Sequence, residues 1–266
     1  MTAGVTIRDE WGAWWSGLSG TARWLPVLGA AGFVAAHAGL GGLRPDHGLL
    51  ASGVLAGYYA GPRVRPWFRF LLPILIVGAV YDAQRYWADA LRATVHVAEP
   101  HQWELRWFGL AEGGRMVTPA AWLQTRTQTI LDLVCGAAYL AFIPVFFLVA
   151  GWWHFQRKIP GSDLVMWAML WLNLSAYALY LLYPAAPPWY ADHYGLGPAI
   201  LSAAPEAAGA ARFDVLLGVH WFAGYYGRNA NVFGAIPSLH VGQTFLAVIY
   251  AWQFRSLRGL VTAQYL

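Results

Sequence analysis

Residues 130–152 read ILDLVCGAAYLAFIPVFFLVAGW, an apolar run long enough to cross a bilayer as one helix. The run carries a single charge, on Asp132, close to its start. Comparable apolar runs recur along the chain, at about 24–43, 47–61, 67–90, 164–183 and 238–254. We therefore predict an all-α fold, a polytopic membrane helical bundle with about six transmembrane helices.

The composition supports this fold class. The 266 residues are 58% hydrophobic and only 11% charged, whereas soluble domains carry roughly 25% charged residues. The net charge of +4 does not indicate a nucleic-acid partner, because the arginines lie between apolar runs instead of forming one basic face. Cys135 is the single cysteine, so no internal disulfide forms.

The basic residues predict an orientation. With six helices, the basic groups all fall on one side of the membrane: Arg8 and Arg23, Arg63 to Arg69, Arg157 and Lys158, and Arg255 and Arg258. The positive-inside rule makes that side cytoplasmic, so the long connections 92–129 and 184–237 face outward. Arginine outnumbers lysine sixteen to one, which is typical of a GC-rich bacterial genome. We expect a bacterial cell (inner) membrane protein whose active face points outward.

Ionisable residues cluster near the outward ends of the predicted helices. Asp82, Arg85 and Asp89 lie in the third helix, Asp132 begins the fourth, and His240 begins the sixth. Charged groups inside membranes are costly and usually face a bundle interior or a watery cavity. The pattern predicts a shared polar pocket. The structural alternative is an ion pair of Arg85 with Asp82 or Asp89 that only ties helices together.

Residues 228–244 read RNANVFGAIPSLHVGQT and combine a helix start with polar chemistry. Pro237 suits the first turn of a helix, and Ser238 with the free backbone N–H groups there forms an anion site. His240 lies in the same turn and exchanges protons near neutral pH. Arg228 has the geometry to clamp a phosphate. The simpler alternative is a capping serine with a hydrogen-bonded interfacial histidine.

Three segments together resemble the type 2 phosphatidic acid phosphatase superfamily. The sequence IPSLHVG at 236–242 is similar to its second signature, and Leu239 matches the inositol phosphorylceramide synthase-like branch. The sequence YPAAPPWY at 183–190 resembles that branch's Pro-Pro-Trp element, and YDAQR at 81–85 resembles its polar third-helix segment. The resemblance covers most of residues 65–254.

This resemblance implies histidine-based phosphoryl transfer without a metal or cofactor. It gives His240 the role of the acid and Ser238 a phosphate contact. Arg228 and Arg85 are further phosphate-binding candidates, with Asp82, Asp89 and Asp132 as polar support. The implied function is a phosphotransferase acting on a lipid phosphate or phosphodiester head group at the outer face, with a membrane lipid as substrate. The alternatives are a lipid phosphate phosphatase and an inactive member that only binds anionic lipid.

The resemblance also implies features that this sequence lacks. A nucleophilic histidine and its aspartate are expected on a following helix, but residues 241–266 contain no His, Asp or Glu. We therefore expect a chain that is incomplete at its C-terminus, with the final core helix missing. Replacement of the nucleophile is not expected, because it must be placed accurately relative to the acid. The other histidines in the outward loops are His96, His101, His193 and His220.

The domain prediction has three parts. Trp11, Trp14, Trp15 and Leu18 recur at helical spacing, so residues 1–23 are predicted as an interfacial N-terminal segment. Residues 24–61 are predicted as two accessory membrane helices. Residues 65–266 are predicted as the phosphatase- or phosphotransferase-like membrane domain.

Overall fold

The computed structural model describes residues 6–266, which form two compact units divided between Gly78 and Ala79. Thirteen α-helices occur in this described part of the chain. The first four are α1 (Ile7–Ser16), α2 (Gly20–Gly39), α3 (Pro45–Tyr59) and α4 (Arg65–Leu91). The next are α5 (Ala98–Phe108), α6 (Pro119–Gln124), α7 (Thr129–Gly151), α8 (Leu164–Leu182) and α9 (Pro188–Tyr194). The last are α10 (Ala211–Leu217), α11 (Trp221–Tyr226), α12 (Leu239–Gln253) and α13 (Arg258–Tyr265).

The all-α class is confirmed. The extended structure in residues 6–266 is small: one antiparallel hairpin, β1 (Leu110–Glu112) with β2 (Arg115–Val117), and isolated backbone bridges. A π-helical turn at Trp152–Gln156 extends α7, and a 3-10 turn at Ala208–Ala210 precedes α10. The long connections therefore fold into short helices, and the hairpin is the element that the sequence did not predict.

Each predicted membrane segment is a helix in the structure, but the helices differ in length. Three of them are long and apolar enough to cross a membrane: Arg65–Leu91, Thr129–Gln156 and Leu164–Leu182. The remaining three, α2, α3 and α12, fall outside those limits within the described residues. At about 1.5 Å per residue, a 15-residue helix such as α3 or α12 is roughly 22 Å long, short of the ~30 Å apolar layer.

The N-terminal unit contains α1, α2, α3 and the first part of α4, and many of its contacts are made by aromatic side chains. Thr6 is the N-cap residue of α1, and its side chain forms a reciprocal capping box with Asp9. The indole of Trp11 stacks on that of Trp15, with 5.5 Å between ring centroids, and its N–H donates to the Tyr59 carbonyl at 2.8 Å. The Tyr58 hydroxyl donates to the Ala22 carbonyl at 2.9 Å. These contacts join α1 and α2 to the end of α3.

The C-terminal unit is arranged around α12, which packs against α7, α8 and α13. Two buried amides join α12 to α8, because Gln243 donates to the Asn173 side chain at 2.8 Å. Asn173 in turn donates to the Met169 carbonyl within α8. Such pairing satisfies polar groups that would otherwise be costly inside an apolar bundle. The helix that carries the Pro-Ser-Leu-His motif is thereby held at a fixed position in the bundle.

Candidate functional site: a tyrosine-rich cavity at the start of α12

The Pro-Ser-Leu-His segment begins α12. Ser238 is the N-cap residue, and its hydroxyl accepts a long hydrogen bond from the Val241 N–H, at 3.5 Å. His240 lies two residues further, in the first turn of α12, with its ring centroid 4.4 Å from that of Tyr139 and 4.7 Å from that of Phe142. Its Nε2 atom is buried and has no hydrogen-bond partner among residues 6–266. The imidazole is held by aromatic packing while one ring nitrogen keeps its hydrogen-bonding capacity.

Three separate segments join through their backbones beside this helix start. His96 donates its N–H to the Pro184 carbonyl at 2.8 Å and accepts from the Ala186 N–H at 2.9 Å. On the other side, Ala185 donates to the Phe233 carbonyl at 2.9 Å. We call the joined segments His96, Pro184–Ala186 and Phe233–Ala235 the backbone clamp. It places the Pro-Pro-Trp element next to the loop that leads into α12.

A close approach between a ring and a glycine completes this arrangement. The Tyr180 hydroxyl donates to the Pro237 carbonyl at 2.8 Å. The Tyr180 ring lies so near Gly234 that a Cβ there would come within 2.9 Å of it. A side chain at Gly234 would therefore displace Tyr180 and its bond to Pro237, which explains the glycine.

Helix α4 supports the loop before α12 through residues that the sequence analysis did not select. The Tyr81 hydroxyl donates to the Asn229 side-chain oxygen at 2.5 Å, and the Asn231 amide donates to the Gln84 side-chain oxygen at 3.1 Å. Asn231 also accepts from the Phe233 N–H at 3.2 Å. Tyr81 and Gln84 are three residues apart, so they share one face of α4. The two asparagines belong to the RNAN sequence, whose polar pattern was the available signal.

Helix α11 carries the opposite edge of the site and is anchored by a buried acid. Asp214 accepts from the backbone N–H groups of Phe222 at 3.1 Å and Ala223 at 3.0 Å. The hydroxyls of Tyr226 and Tyr139 are hydrogen bonded to each other. Burial raises the pKa of the Tyr225 phenol to about 12, so this group is a neutral hydrogen-bond donor at physiological pH.

These elements enclose a cavity of about 930 Å³, which we call the polar cavity. Its wall contains many side chains that can form hydrogen bonds. The aromatic and proline side chains of the wall are Tyr81, Tyr139, Tyr180, Tyr225, Tyr226, Trp221, Trp189, Pro187 and Pro188. The polar part comprises Glu206, His220, Arg228, Asn229, Asn231, Ser238 and His240.

The charges of the polar cavity are few. Arg228 is the one arginine or lysine among the lining residues of the described chain. Glu206 is the one carboxylate in that lining, and it forms an ion pair with His193 at 2.8 Å. A guanidinium, a serine hydroxyl and tyrosine hydroxyls around one space form an environment suited to a single phosphate group.

The structure brings three of the predicted site residues, Ser238, Arg228 and His240, to the same cavity. Arg85 and the three aspartates do not line it. Arg85 forms an ion pair with Asp82, Asp89 pairs with Arg92, and Asp132 accepts from Arg212 at 3.0 Å. These acids and Arg85 thus form local ion pairs beside the cavity, the alternative considered from the sequence for Arg85 with Asp82. For Asp82 and Asp89 the physical reason is proximity, because an i, i+3 pair on a helix forms without any distant partner, whereas Asp132 of α7 is paired by Arg212 of α10.

Among the histidines outside the predicted site, His220 also lines the polar cavity. It is the N-cap residue of α11, and its ring has no hydrogen-bond partner within the described part of the chain. His96 pairs with Glu99 at 2.6 Å and stacks on Tyr183. His193 pairs with Glu206 as described above. His220 is therefore the second imidazole that the polar cavity contains.

An all-α membrane protein with a Pro-Ser-x-His helix start beside a Pro-Pro-Trp element fits one class, the membrane phosphatases and phosphotransferases with this motif order. A family model described as "PAP2 superfamily" matches residues 109–266, more than half of the chain. The chain belongs to this superfamily and lies in its inositol phosphorylceramide synthase-like branch.

The branch is shown by the similar proteins. The chain is 37% identical over 210 residues to a phosphoinositol dihydroceramide synthase from Bacteroides thetaiotaomicron, covering 79% of the chain and 68% of that protein. It is 29% identical over 204 residues to the inositol phosphorylceramide synthase catalytic subunit of Saccharomyces cerevisiae, covering 76% of the chain and 49% of that protein. The corresponding Schizosaccharomyces pombe subunit is 32% identical over 136 residues, covering 48% of the chain and 31% of that protein. No solved structure matches the chain significantly.

Proposed function

We propose that this protein is a membrane phosphotransferase that moves a phosphoinositol head group from a lipid phosphodiester to a long-chain lipid alcohol. The observation that carries the proposal is the polar cavity, where Ser238, Arg228 and His240 line one space. The names of the similar proteins describe syntheses of phosphoinositol ceramides, which are reactions of this kind.

Phosphate binding falls to the groups at the start of α12. The free N–H groups of a helix N-terminus favour anions, and the Ser238 hydroxyl lies at that terminus. Arg228 supplies the positive charge and planar donors that suit phosphate oxygens. A phosphodiester carries one negative charge, which a single guanidinium balances. The five tyrosines and two asparagines of the lining offer hydrogen bonds to the hydroxyl groups of an inositol ring.

We assign proton transfer to His240. In the overall reaction, the bond between phosphorus and the glycerol oxygen of the donor breaks, and a bond between phosphorus and the acceptor oxygen forms. The proton of the acceptor hydroxyl ends on the released glycerol oxygen, so the reaction needs no other reactant. We assign both proton movements to His240, which gives a proton to the leaving glycerol oxygen and receives the proton of the acceptor hydroxyl.

A covalent route through phosphohistidine needs a nucleophile besides His240. The superfamily resemblance implies a His-x-x-x-Asp pattern for it, and residues 241–266 contain none of these residue types. His220 lines the cavity but lacks a carboxylate partner that would orient it in the described residues. We therefore assign proton transfer and phosphate binding to the residues named above and give the nucleophile's role to none of them.

The proposed location follows from the basic loops. Arg157 and Lys158 follow α7, while Ser238 and His240 begin α12, and the sequence pattern puts these groups on opposite sides of the membrane. We propose that the polar cavity opens on the outer face of a bacterial cell membrane. Cysteines introduced at Arg157 and Tyr194 test this: in intact cells an impermeant thiol reagent should label Tyr194→Cys and spare Arg157→Cys, and the reverse would overturn it.

The activity test uses membranes containing the protein expressed from its complete reading frame. A phosphoinositol lipid labelled in the head group is supplied with a ceramide-like acceptor, and products are separated. We expect transfer to the acceptor, and a loss of about 10²–10⁴-fold in His240→Ala, the usual contribution of a proton donor. The matched control is His154→Asn, because His154 lines neither this cavity nor the groove described below.

The products separate the proposal from its nearest alternative. Release of inorganic phosphate from phosphatidate, without transfer to the lipid alcohol, would identify a lipid phosphate phosphatase and contradict the transferase proposal. Binding of anionic lipid without either product would support the inactive alternative.

A further inference from the structure

A second cavity, of about 860 Å³, lies beside the first and has a different character. Its apolar surface comes from α5, from the loop before α12 and from the first turn of α12. We call it the aromatic groove, defined by Trp103, Trp107, Phe108, Ile236 and Val241. Trp107 is 72% exposed and Phe108 is 69% exposed. Large aromatic side chains around a cavity of this size suit an apolar ligand.

The aromatic groove and the polar cavity share a wall. Pro187, Pro188, Ala235 and Ser238 line both spaces. The backbone clamp fixes this wall, since Ala235 belongs to it and the two prolines follow its middle segment directly. A molecule in the aromatic groove therefore reaches the residue that we assign to phosphate binding.

The charge of the aromatic groove indicates which lipid it accepts. Glu104 is its one charged side chain among the described lining residues, and burial raises the pKa of that carboxyl group. The other ionisable group is His101, whose buried Nδ1 has no hydrogen-bond partner within residues 6–266. No arginine or lysine lines the described groove, so an anionic phosphate finds no cationic side chain to pair with there. Neutral hydroxyl and amide groups suit a carboxyl and an imidazole as partners.

From this juxtaposition we infer that the aromatic groove binds the hydrocarbon chain of the uncharged acceptor, a long-chain N-acyl amino alcohol. The polar part of the acceptor lies near Glu104 and His101, and its reacting hydroxyl lies at the shared wall beside Ser238. The anionic donor occupies the polar cavity with Arg228. This inference rests on the proposed transferase function, for which it supplies the position of the second substrate.

The test is photo-crosslinking on the full protein in membranes, which needs no turnover. The probe is a ceramide-like alcohol with a diazirine in its chain, and the comparison is phosphatidylcholine with the same diazirine chain. We expect the alcohol to label α5, residues 98–108, and unlabelled alcohol to compete. The phosphatidylcholine probe should label α5 at least about tenfold less, a difference of ~1.4 kcal/mol in binding.

Variants make the test specific. Val241→Trp fills the aromatic groove and should lower α5 labelling by the alcohol about tenfold, a change of ~1.4 kcal/mol. The Val241 side chain is 53% exposed, so the larger side chain has room without disturbing the core. Trp107→Ala provides a second variant that removes groove surface. Trp171→Ala is the matched control, because Trp171 is a similarly exposed indole on α8 that lines neither space.

The outcomes separate the inference from the proposed function. Equal labelling of α5 by both probes, or labelling that neither Val241→Trp nor Trp107→Ala lowers, would overturn the inference and show only membrane lipid at this surface. Selective labelling of α5 by the alcohol without head-group transfer would support the groove and count against the transferase. Head-group transfer with labelling confined to other helices would support the transferase and overturn the inference about the groove.

Discussion

The polar cavity and the aromatic groove meet at Ser238 but differ in what they offer a ligand. The polar cavity presents Arg228 and many hydroxyl groups, whereas the groove presents indoles with one carboxyl group, that of Glu104. A head-group transferase of the proposed kind must accept both an anionic lipid and a neutral lipid. On the proposed function, charge and not size would decide which lipid binds in which space, because the volumes are similar, about 930 and 860 Å³.

The largest expected effect separates the two spaces through the cation. Arg228→Gln should raise the donor KM about 10- to 100-fold, because a hydrogen bond to a charged group contributes roughly 1.5–3 kcal/mol. The acceptor KM should stay within about twofold. Steady-state kinetics with each substrate varied in turn measures both values. An equal rise in both KM values would break the proposed division between donor and acceptor.

The next effect concerns the support that the polar cavity receives from α4. Asn231→Leu leaves the buried Gln84 amide oxygen without its donor, so unfolding should become easier by about 1–3 kcal/mol. Thermal unfolding in detergent measures the loss. The control is Gln124→Leu, which removes an exposed bond to Asp192 and should change stability by less than about 0.5 kcal/mol. Equal losses in the two variants would mean that burial of the Asn231 bond is unimportant.

A smaller effect sharpens the comparison from the groove side. Trp107→Ala should raise the acceptor KM about threefold to tenfold, because the side chain is exposed at the groove rim and contributes only part of the apolar contact. The donor KM and the rate at saturation should not change. A fall in the rate at saturating acceptor, with both KM values constant, would contradict a binding role.

The smallest effect is expected at Arg85, which was predicted to bind phosphate. Arg85→Gln should leave both KM values within about twofold, because the side chain pairs with Asp82 and lines neither space. A rise in donor KM comparable to that of Arg228→Gln would support the predicted role of Arg85 in phosphate binding. In that case Arg85 would have to leave Asp82 when the donor binds.

The helices were largely predictable because hydrophobic runs are local. The run predicted at 67–90 is the helix Arg65–Leu91, and that at 164–183 is Leu164–Leu182. The hairpin at Leu110–Val117 was not predicted, because three-residue strands leave too short an alternating pattern. Three of the six predicted segments, those of α2, α3 and α12, fall outside the limits for a membrane-spanning helix in the described chain, α3 and α12 because they end after 15 residues.

The site was predictable only where one short segment carries it. Ser238 and His240 lie within one helix start, and their chemistry follows from that local structure. Tyr81 and Gln84 were missed, because their partners Asn229 and Asn231 lie 148 and 147 positions away. No local period reveals which face of a membrane helix meets a distant loop. Asp82 and Arg85 attracted attention as charged residues, whereas the neutral side chains on the same helix make the contacts.

The backbone clamp has a consequence for the order in which the protein matures. Its first two segments, around His96 and Ala185, are separated by α7 and α8, and its third, around Gly234, follows only after α9, α10 and α11, so the three segments meet late in folding. A nascent chain that has inserted α4, α7 and α8 still lacks the last segment, and we expect it to lack the wall shared by the polar cavity and the aromatic groove.

Limited proteolysis of chains stalled before and after Phe233 tests this expectation. Cleavage near Pro184 should decline only after the later stall. Equal protection at both stages would mean that the Pro-Pro-Trp element settles without its partner. Delayed completion of the clamp would keep the unfinished chain from binding a lipid substrate during its biogenesis.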